Sequence, residues 1–291
     1  MHVSLKLRSL QDAAQRPGGN ATIEFARASW HIAQMLSYQH IYHAGNLADV
    51  HKHALLAWVL DYMANKDKPL SYLETHAGRG LYRLDSSESR RTGEAEAGIG
   101  RLERAFPPTH PYIRAVDATR AAHGKFHYPG SPLIAAHLLR MVDRITLAEL
   151  HPQEHAALTH VMRDRARVEK RDGFALMQAL CPPHPRRGVM MIDPSYEVKT
   201  EYETIPKFVA AIHRKWNVGV IVLWYPILSA GLHTEMIARI TADHPDAQLF
   251  EARYPPIRDE HRMIGTGLVV LNAPWGMAEE AARVAELMGA A

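Results

Sequence analysis

Cysteine is almost missing from this chain: Cys181 is the only one in 291 residues. One thiol excludes a disulfide framework within the chain and points to a reducing compartment. Cys181 stands before Pro182-Pro183 at the expected end of a helix, with no motif around it, so it reads as packing. His-Glu-x-x-His and paired Cys-x-x-Cys are absent, as is any phosphate loop of Walker type. The common zinc arrangements and the usual nucleoside triphosphatase design are thereby disfavoured. No stretch approaches the length of a membrane span, and the N-terminal segment has no apolar signal core. A cytoplasmic protein without membrane contact is expected. There is no internal repeat and no low-complexity tract.

What is present is an ordinary globular composition, 47% hydrophobic and 22% charged. The length suits one large α/β domain with an insertion. A formal charge of +3 permits nucleic acid without demanding it. The 19 histidines crowd toward the N-terminus. His40, His43, His51 and His53 invite a metal, but no carboxylate or thiolate spacing supports one, and none is expected.

Residues 1–34 differ from the rest, because Arg16-Pro17-Gly18-Gly19-Asn20 breaks any regular pattern there. They read as a loosely attached or disordered N-terminal extension, or as lying upstream of a true start at Met35. Residues 35–291 then form the domain. Helices are expected over 48–64, 131–142, 201–215 and 231–243, at Pro152 and at the C-terminus. Strands are expected over 71–75, 145–149, 166–170, 188–193, 218–224, 248–254 and 267–272. Residues 85–127 are polar and Arg-rich and read as a small helical insertion. Strands alternating with helices predict a mostly parallel, doubly wound sheet.

Asp193-Pro194-Ser195-Tyr196 follows the apolar run Gly188–Ile192. An exocyclic amine on a nucleobase is a poor nucleophile, because its lone pair is delocalised into the ring. The Asp193 carboxylate and the Pro194 carbonyl can each accept one N–H, which localises and aims that lone pair. Tyr196 can stack on an extruded base. The same tetrad also reads as a plain turn. Other polar groups fall at neighbouring strand ends, where ligands bind in doubly wound sheets. His76 and the turn Gly78-x-Gly80 follow one strand. Glu149 ends the next and suits two ribose hydroxyls. Asp172-Gly173 follows the third and suits an adenine edge, or simply a helix cap.

Met35–His53, Thr75–Gly80, Tyr128–Pro132, Glu149–Pro152 and Trp224–Pro226, in that order, resemble the bacterial ribosomal large-subunit RNA methyltransferase J family. The resemblance runs from about residue 35 to the C-terminus. It implies a Rossmann-like class I S-adenosylmethionine-dependent methyltransferase fold with a small helical insertion. It implies methylation of N6 of an adenine in 23S ribosomal RNA. Lys52, His53, His76, Ser131, Glu149, Asp172, Gly173 and Asp193 match cofactor contacts. Asp193, with Pro194 and Tyr196, matches the catalytic tetrad, and Tyr38 matches a contact to the RNA. The family pattern is Asp-Pro-Pro-Tyr, so Ser195 is a departure; it restores a backbone N–H and loosens the loop. Arg79, Arg90, Arg91, Arg101 and Arg104 are candidate phosphate contacts or a solvated helix face. A monomer is expected. A DNA adenine-N6 methyltransferase and a non-catalytic RNA-binding protein that keeps the fold are the alternatives.

Overall fold

A strand that is apolar at every position needs cover on both faces. The computed structural model, which describes residues 40–255 and 262–289, provides that cover. The described residues belong to one compact unit that begins at His40. The expectations for residues 1–34 and for Tyr38 lie outside the described residues.

The sheet strands are β1 (Ser71–Glu74), β4 (Arg144–Ala148), β5 (Arg167–Glu169), β6 (Gly188–Ile192), β7 (Val220–Leu228), β8 (Gln248–Arg253) and β9 (Met263–Leu271). Their spatial order is β5-β4-β1-β6-β7-β9-β8. The first five are mutually parallel, and β9 runs antiparallel to both β7 and β8. This is the expected α/β architecture with a mostly parallel sheet. From β1 the chain builds to one side through β4 and β5, then returns to the other side at β6. The two halves meet between β1 and β6, where Glu74 sits in register with Met191. Crevices that bind ligands form outside the carboxyl ends of strands at such a switch point.

Alternation along the strands feeds two cores. Tyr72, Val189, Met191, Val220 and Val222 pack into one. Leu73, Met190, Ile192, Ile221 and Leu223 pack into the other. The first core is covered by α1 (Leu47–Ala64), α4 (Ser131–Leu138), α5 (Pro152–Met162) and α9 (Met277–Gly289). The second is covered by α6 (Gly173–Leu180), α7 (Glu201–Lys215) and α8 (His233–Asp243). Helix α1 is buried on almost every side, as a central helix must be. Its N-cap Asn46 accepts the Asp49 N–H at 2.8 Å. Cys181 lies in the second core, where burial pushes its thiol up to about 12, an inert packing residue.

Four details depart from the sequence reading. The insertion opens and closes on an antiparallel pair, β2 (Leu81–Arg83) with β3 (His127–Pro129). Inside it, α2 (Ser87–Thr92) and α3 (Pro111–His123) flank short turns, and Ile99, Phe106, Tyr112, Ile113 and Val116 join the first core. Helix α4 stops at Leu138 instead of running to 142, because Asp143 draws the chain into a turn by accepting the Arg140 N–H at 2.8 Å. Strand β7 continues past Pro226 to Leu228. Its pairing with β6 ends at Leu223, so no β6 partner is lost where the proline lacks a donor. Strand β9 starts four residues before the expected Gly267, at Met263.

Two buried positions generate predictions. His51 on α1 is fully buried with neither ring nitrogen hydrogen-bonded, and burial holds its pKa down at about 3. The unfolded chain takes up this proton near 6.5, the folded chain only near 3. Folding stability therefore falls as pH drops below the unfolded value, by about 1.4 kcal/mol per pH unit. In urea titrations from neutral pH into the acid range, His51→Leu should lose that share of the slope. Parallel slopes for variant and wild type would contradict it. At Gly173, an added Cβ would stand 1.8 Å from the Thr75 carbonyl oxygen. Gly173→Ala must push α6 off β1 and should cost about 3 kcal/mol in urea unfolding; an unchanged midpoint would refute the close packing.

Candidate active site

At the carboxyl end of β6 the chain leaves the sheet as Asp193-Pro194-Ser195-Tyr196. Helix α1 crosses nearby and delivers Lys52, which is 4% exposed. Its Nζ donates to Asp193 Oδ2 at 2.7 Å and lies 3.1 Å from Asp49 Oδ1. The Trp224 ring lies beneath, 5.2 Å from Nζ to its centroid. Burial works against the Lys52 charge, but Asp193 and Asp49 outweigh it, and the ammonium holds its proton above the ordinary range. Asp49 is held well below the usual carboxylate range: His40, Lys52 and His53 overcome the penalty of burial.

Beside Asp193, at the end of β1, stands Glu74, fully buried. Ser131 Oγ donates to one of its oxygens, and Tyr72 OH donates to the other at 2.9 Å. Burial pushes Glu74 up to about 8, with the Asp193 charge adding to it, so the carboxyl keeps its proton near neutral pH. The sequence reading passed over Glu74 and Asp49. A carboxylate closing the strand before the glycine turn was the available sign for the first. An acidic residue three places before Lys52 on one helix face was the sign for the second.

His76 follows β1, with Nδ1 2.8 Å from Thr75 Oγ1 and its ring edge-on to Phe174. Burial pulls it down to about 4 against the attraction of Asp193 and Asp172, so it is neutral at physiological pH. Gly78 and Gly80 take φ of +62° and +74°, which glycine adopts without strain. Glu149 Oε2 accepts the Gly78 N–H at 2.8 Å and Oε1 the His151 N–H at 2.7 Å. Burial raises its pKa against those two donors. Asp172 is exposed and caps α6, accepting the Ala175 N–H at 2.7 Å. Gly173 packs against the backbone of Thr75.

The structure thus brings Lys52, Asp193, Glu74 with Ser131, and His76 into one electrostatic neighbourhood, with Glu149, Asp172 and Gly173 along the adjoining strand ends. It sets other expected residues apart. His53 is 2% exposed, with Nδ1 2.8 Å from the Tyr128 hydroxyl and Nε2 3.9 Å from Asp49 Oδ1, so both ring nitrogens face protein groups. Tyr196 takes a positive φ of 57° and is only 8% exposed. Its hydroxyl donates to the Trp224 carbonyl at 2.6 Å, and its ring packs on Tyr202 and Trp224. An open stacking platform therefore needs these neighbours to shift. Arg79 is engaged by Glu154, with Nε donating at 2.8 Å, which removes it from the phosphate candidates. Arg90, Arg91, Arg101 and Arg104 are exposed on the insertion. Among the described residues no cluster of His, Cys, Asp and Glu is arranged to hold a metal, and no helix is long and apolar enough to cross a membrane.

Comparison with known proteins gives this site its context. The family model described as "Ribosomal RNA large subunit methyltransferase D, RlmJ" matches residues 67–290. The chain is 40% identical over 252 residues to ribosomal RNA large subunit methyltransferase J of Escherichia coli K12, covering 84% of this chain and 90% of that one. It is 38% identical over 255 residues to the protein of the same name from Haemophilus influenzae, covering 83% and 88%. A crystal structure of a Legionella pneumophila protein superposes with a TM-score of 0.76 at 34% identity, covering 84% of this chain and 92% of that one. The chain belongs to the ribosomal RNA large-subunit methyltransferase J family.

Proposed function

We propose that this protein transfers a methyl group from S-adenosylmethionine to N6 of an adenine in 23S ribosomal RNA, acting as a cytoplasmic monomer. The observation that carries the reading is Asp193 itself. It directly follows β6 at the switch point of the sheet, is followed by a proline carbonyl, and has one carboxylate oxygen held by Lys52 at 2.7 Å.

The residues present fit the cofactor. Gly173 lets the first turn of α6 pack backbone to backbone on Thr75, which sets Asp172 and the N-terminus of α6 beside the end of β1, where the adenine edge would lie. Glu149 is already oriented by two backbone donors, and each oxygen keeps a lone pair for a ribose hydroxyl. Neutral His76 adds no cationic charge near a positively charged sulfonium. When bound, S-adenosylmethionine supplies an electrophilic methyl group.

The remaining work falls to the protein. Lys52 fixes Asp193 Oδ2, leaving the other carboxylate oxygen to accept one N–H of the target amine. The Pro194 carbonyl accepts the second. Held by both, the N6 lone pair points out of the base plane toward the methyl group. As the N–C bond forms at the expense of the donor's S–C bond, leaving the donor sulfur a neutral thioether, Asp193 receives the proton that the methylated amine sheds. Tyr196 packs on the extruded base once its contacts with Tyr202 and Trp224 have opened. The exposed arginines of the insertion hold RNA phosphates.

Two outcomes are expected of purified protein. With protein-free 23S ribosomal RNA and radiolabelled donor, Asp193→Ala should lower the transfer rate by about 10²–10³-fold or more. Near-normal rates would remove Asp193 from the mechanism, and incorporation into duplex DNA in preference to the RNA would move the reading to DNA. By titration calorimetry, Glu149→Ala should weaken donor binding by about tenfold or more, the worth of a lost charge-assisted hydrogen bond. Unchanged affinity would free Glu149 from the ribose.

A further inference from the structure

We infer that Asp49 is a positioning residue for methyl transfer: it shares Lys52 with Asp193 and thereby sets where Lys52 holds the catalytic carboxylate. The inference rests on the function proposed above and names a part of that site.

Lysine is a point charge on a flexible stem, and one partner does not define its position. Asp193 stands on the loop that leaves β6, so a Lys52–Asp193 pair alone would leave both ends of the contact free to move. Asp49 supplies the fixed reference. It is 1% exposed, and its Oδ2 accepts the Gly45 N–H at 2.9 Å and lies 2.8 Å from His40 Nε2. Oδ1 meets Lys52 at 3.1 Å, one helical turn away on α1, with His53 Nε2 farther off at 3.9 Å. With Trp224 beneath, the ammonium is located by a carboxylate on each side and an aromatic face.

The reference is itself braced. Gly45 has a φ of +78°, and its carbonyl accepts the Ile99 N–H at 2.9 Å. An added Cβ on Gly98 would stand 2.1 Å from that same carbonyl oxygen, so the insertion packs against Gly45 backbone to backbone. Glu94 of the insertion accepts from Asn46 Nδ2 at 3.1 Å and lies 2.9 Å from His43 Nδ1. The segment around Gly45 is thus held from the insertion, and through Gly45 and Asp49 that placement reaches Lys52. Sharing also has an electrostatic consequence. A lysine divided between two carboxylates neutralises neither completely, so Asp193 retains acceptor strength for the target amine.

A role confined to structure is the competing explanation, since a carboxylate in the first turn favours any helix. Helix capping, however, already falls to Asn46, and a structural role has no reason to run through Lys52. A double-mutant cycle on turnover separates the two. Asp49→Asn keeps the shape and removes the charge. In the wild-type background it should lower kcat at least tenfold, with donor affinity by calorimetry changed less than about threefold. In a Lys52→Met background the same substitution should change kcat by less than about threefold. Equal losses in both backgrounds, or a loss lying wholly in donor affinity, would overturn the inference. Should Asp49→Asn not fold, Asp49→Glu keeps the charge and displaces it by one methylene, and the same pattern is required of it. An inactive wild-type protein would count against the proposed function, whereas an active wild type with a fully active Asp49→Asn would count against this inference alone.

Discussion

A cation buried between two carboxylates is the contact on which the site depends. Removing these charges from water is costly, and only close, well-directed partners offset that cost. The offset here requires three separate parts of the chain to arrive together. Helix α1 brings Lys52 and Asp49, the end of β6 brings Asp193, and β7 brings Trp224. None of them is near another partner's element in sequence: Lys52 and Asp193 are 141 residues apart. The arrangement therefore exists only when the sheet has formed and α1 has packed across it.

The topology makes that meeting natural. Strands β1 and β6 lie side by side where the strand order reverses, so their carboxyl ends fall at the switch point at which such sheets bind ligands. The end of β1 contributes Glu74 and His76, and the end of β6 contributes Asp193. The groups differ in charge state because their surroundings differ. Glu74 keeps its proton because full burial outweighs its two hydroxyl donors, while Asp49, equally buried, stays ionised beside the Lys52 ammonium. His76 stays neutral under the same burial. A site for a cationic methyl donor and an amine nucleophile needs this mixture: negative charge where the amine is held, and no excess positive charge beside the sulfonium.

Much of this was legible in the sequence, for identifiable reasons. The unbroken apolar runs at 188–192 and 218–224 could only be strands covered on both faces, and the polar residues at strand ends marked the crevice. Asp193 and His76 were marked by their chemistry at strand ends as well as by the family resemblance, Lys52 by the resemblance alone, and the three lie in one neighbourhood. Short elements carry too little pattern. Leu81–Arg83 and His127–Pro129 form a strand pair that three residues each cannot announce. The apolar residues within the insertion were obscured by its arginines. The burial of Tyr196 against Tyr202 and Trp224, and the capture of Arg79 by Glu154, are tertiary contacts that no local period encodes.

The central claim is that Asp193, held by Lys52, directs an adenine amine of large-subunit ribosomal RNA toward a methyl group. The most direct measurement is nucleoside mass spectrometry of 23S ribosomal RNA from cells lacking the gene, complemented with wild type or with Asp193→Ala. The account predicts that one N6-methyladenine disappears on deletion, returns with wild type and stays absent with the variant. An unchanged RNA on deletion, or full restoration by Asp193→Ala, would contradict it.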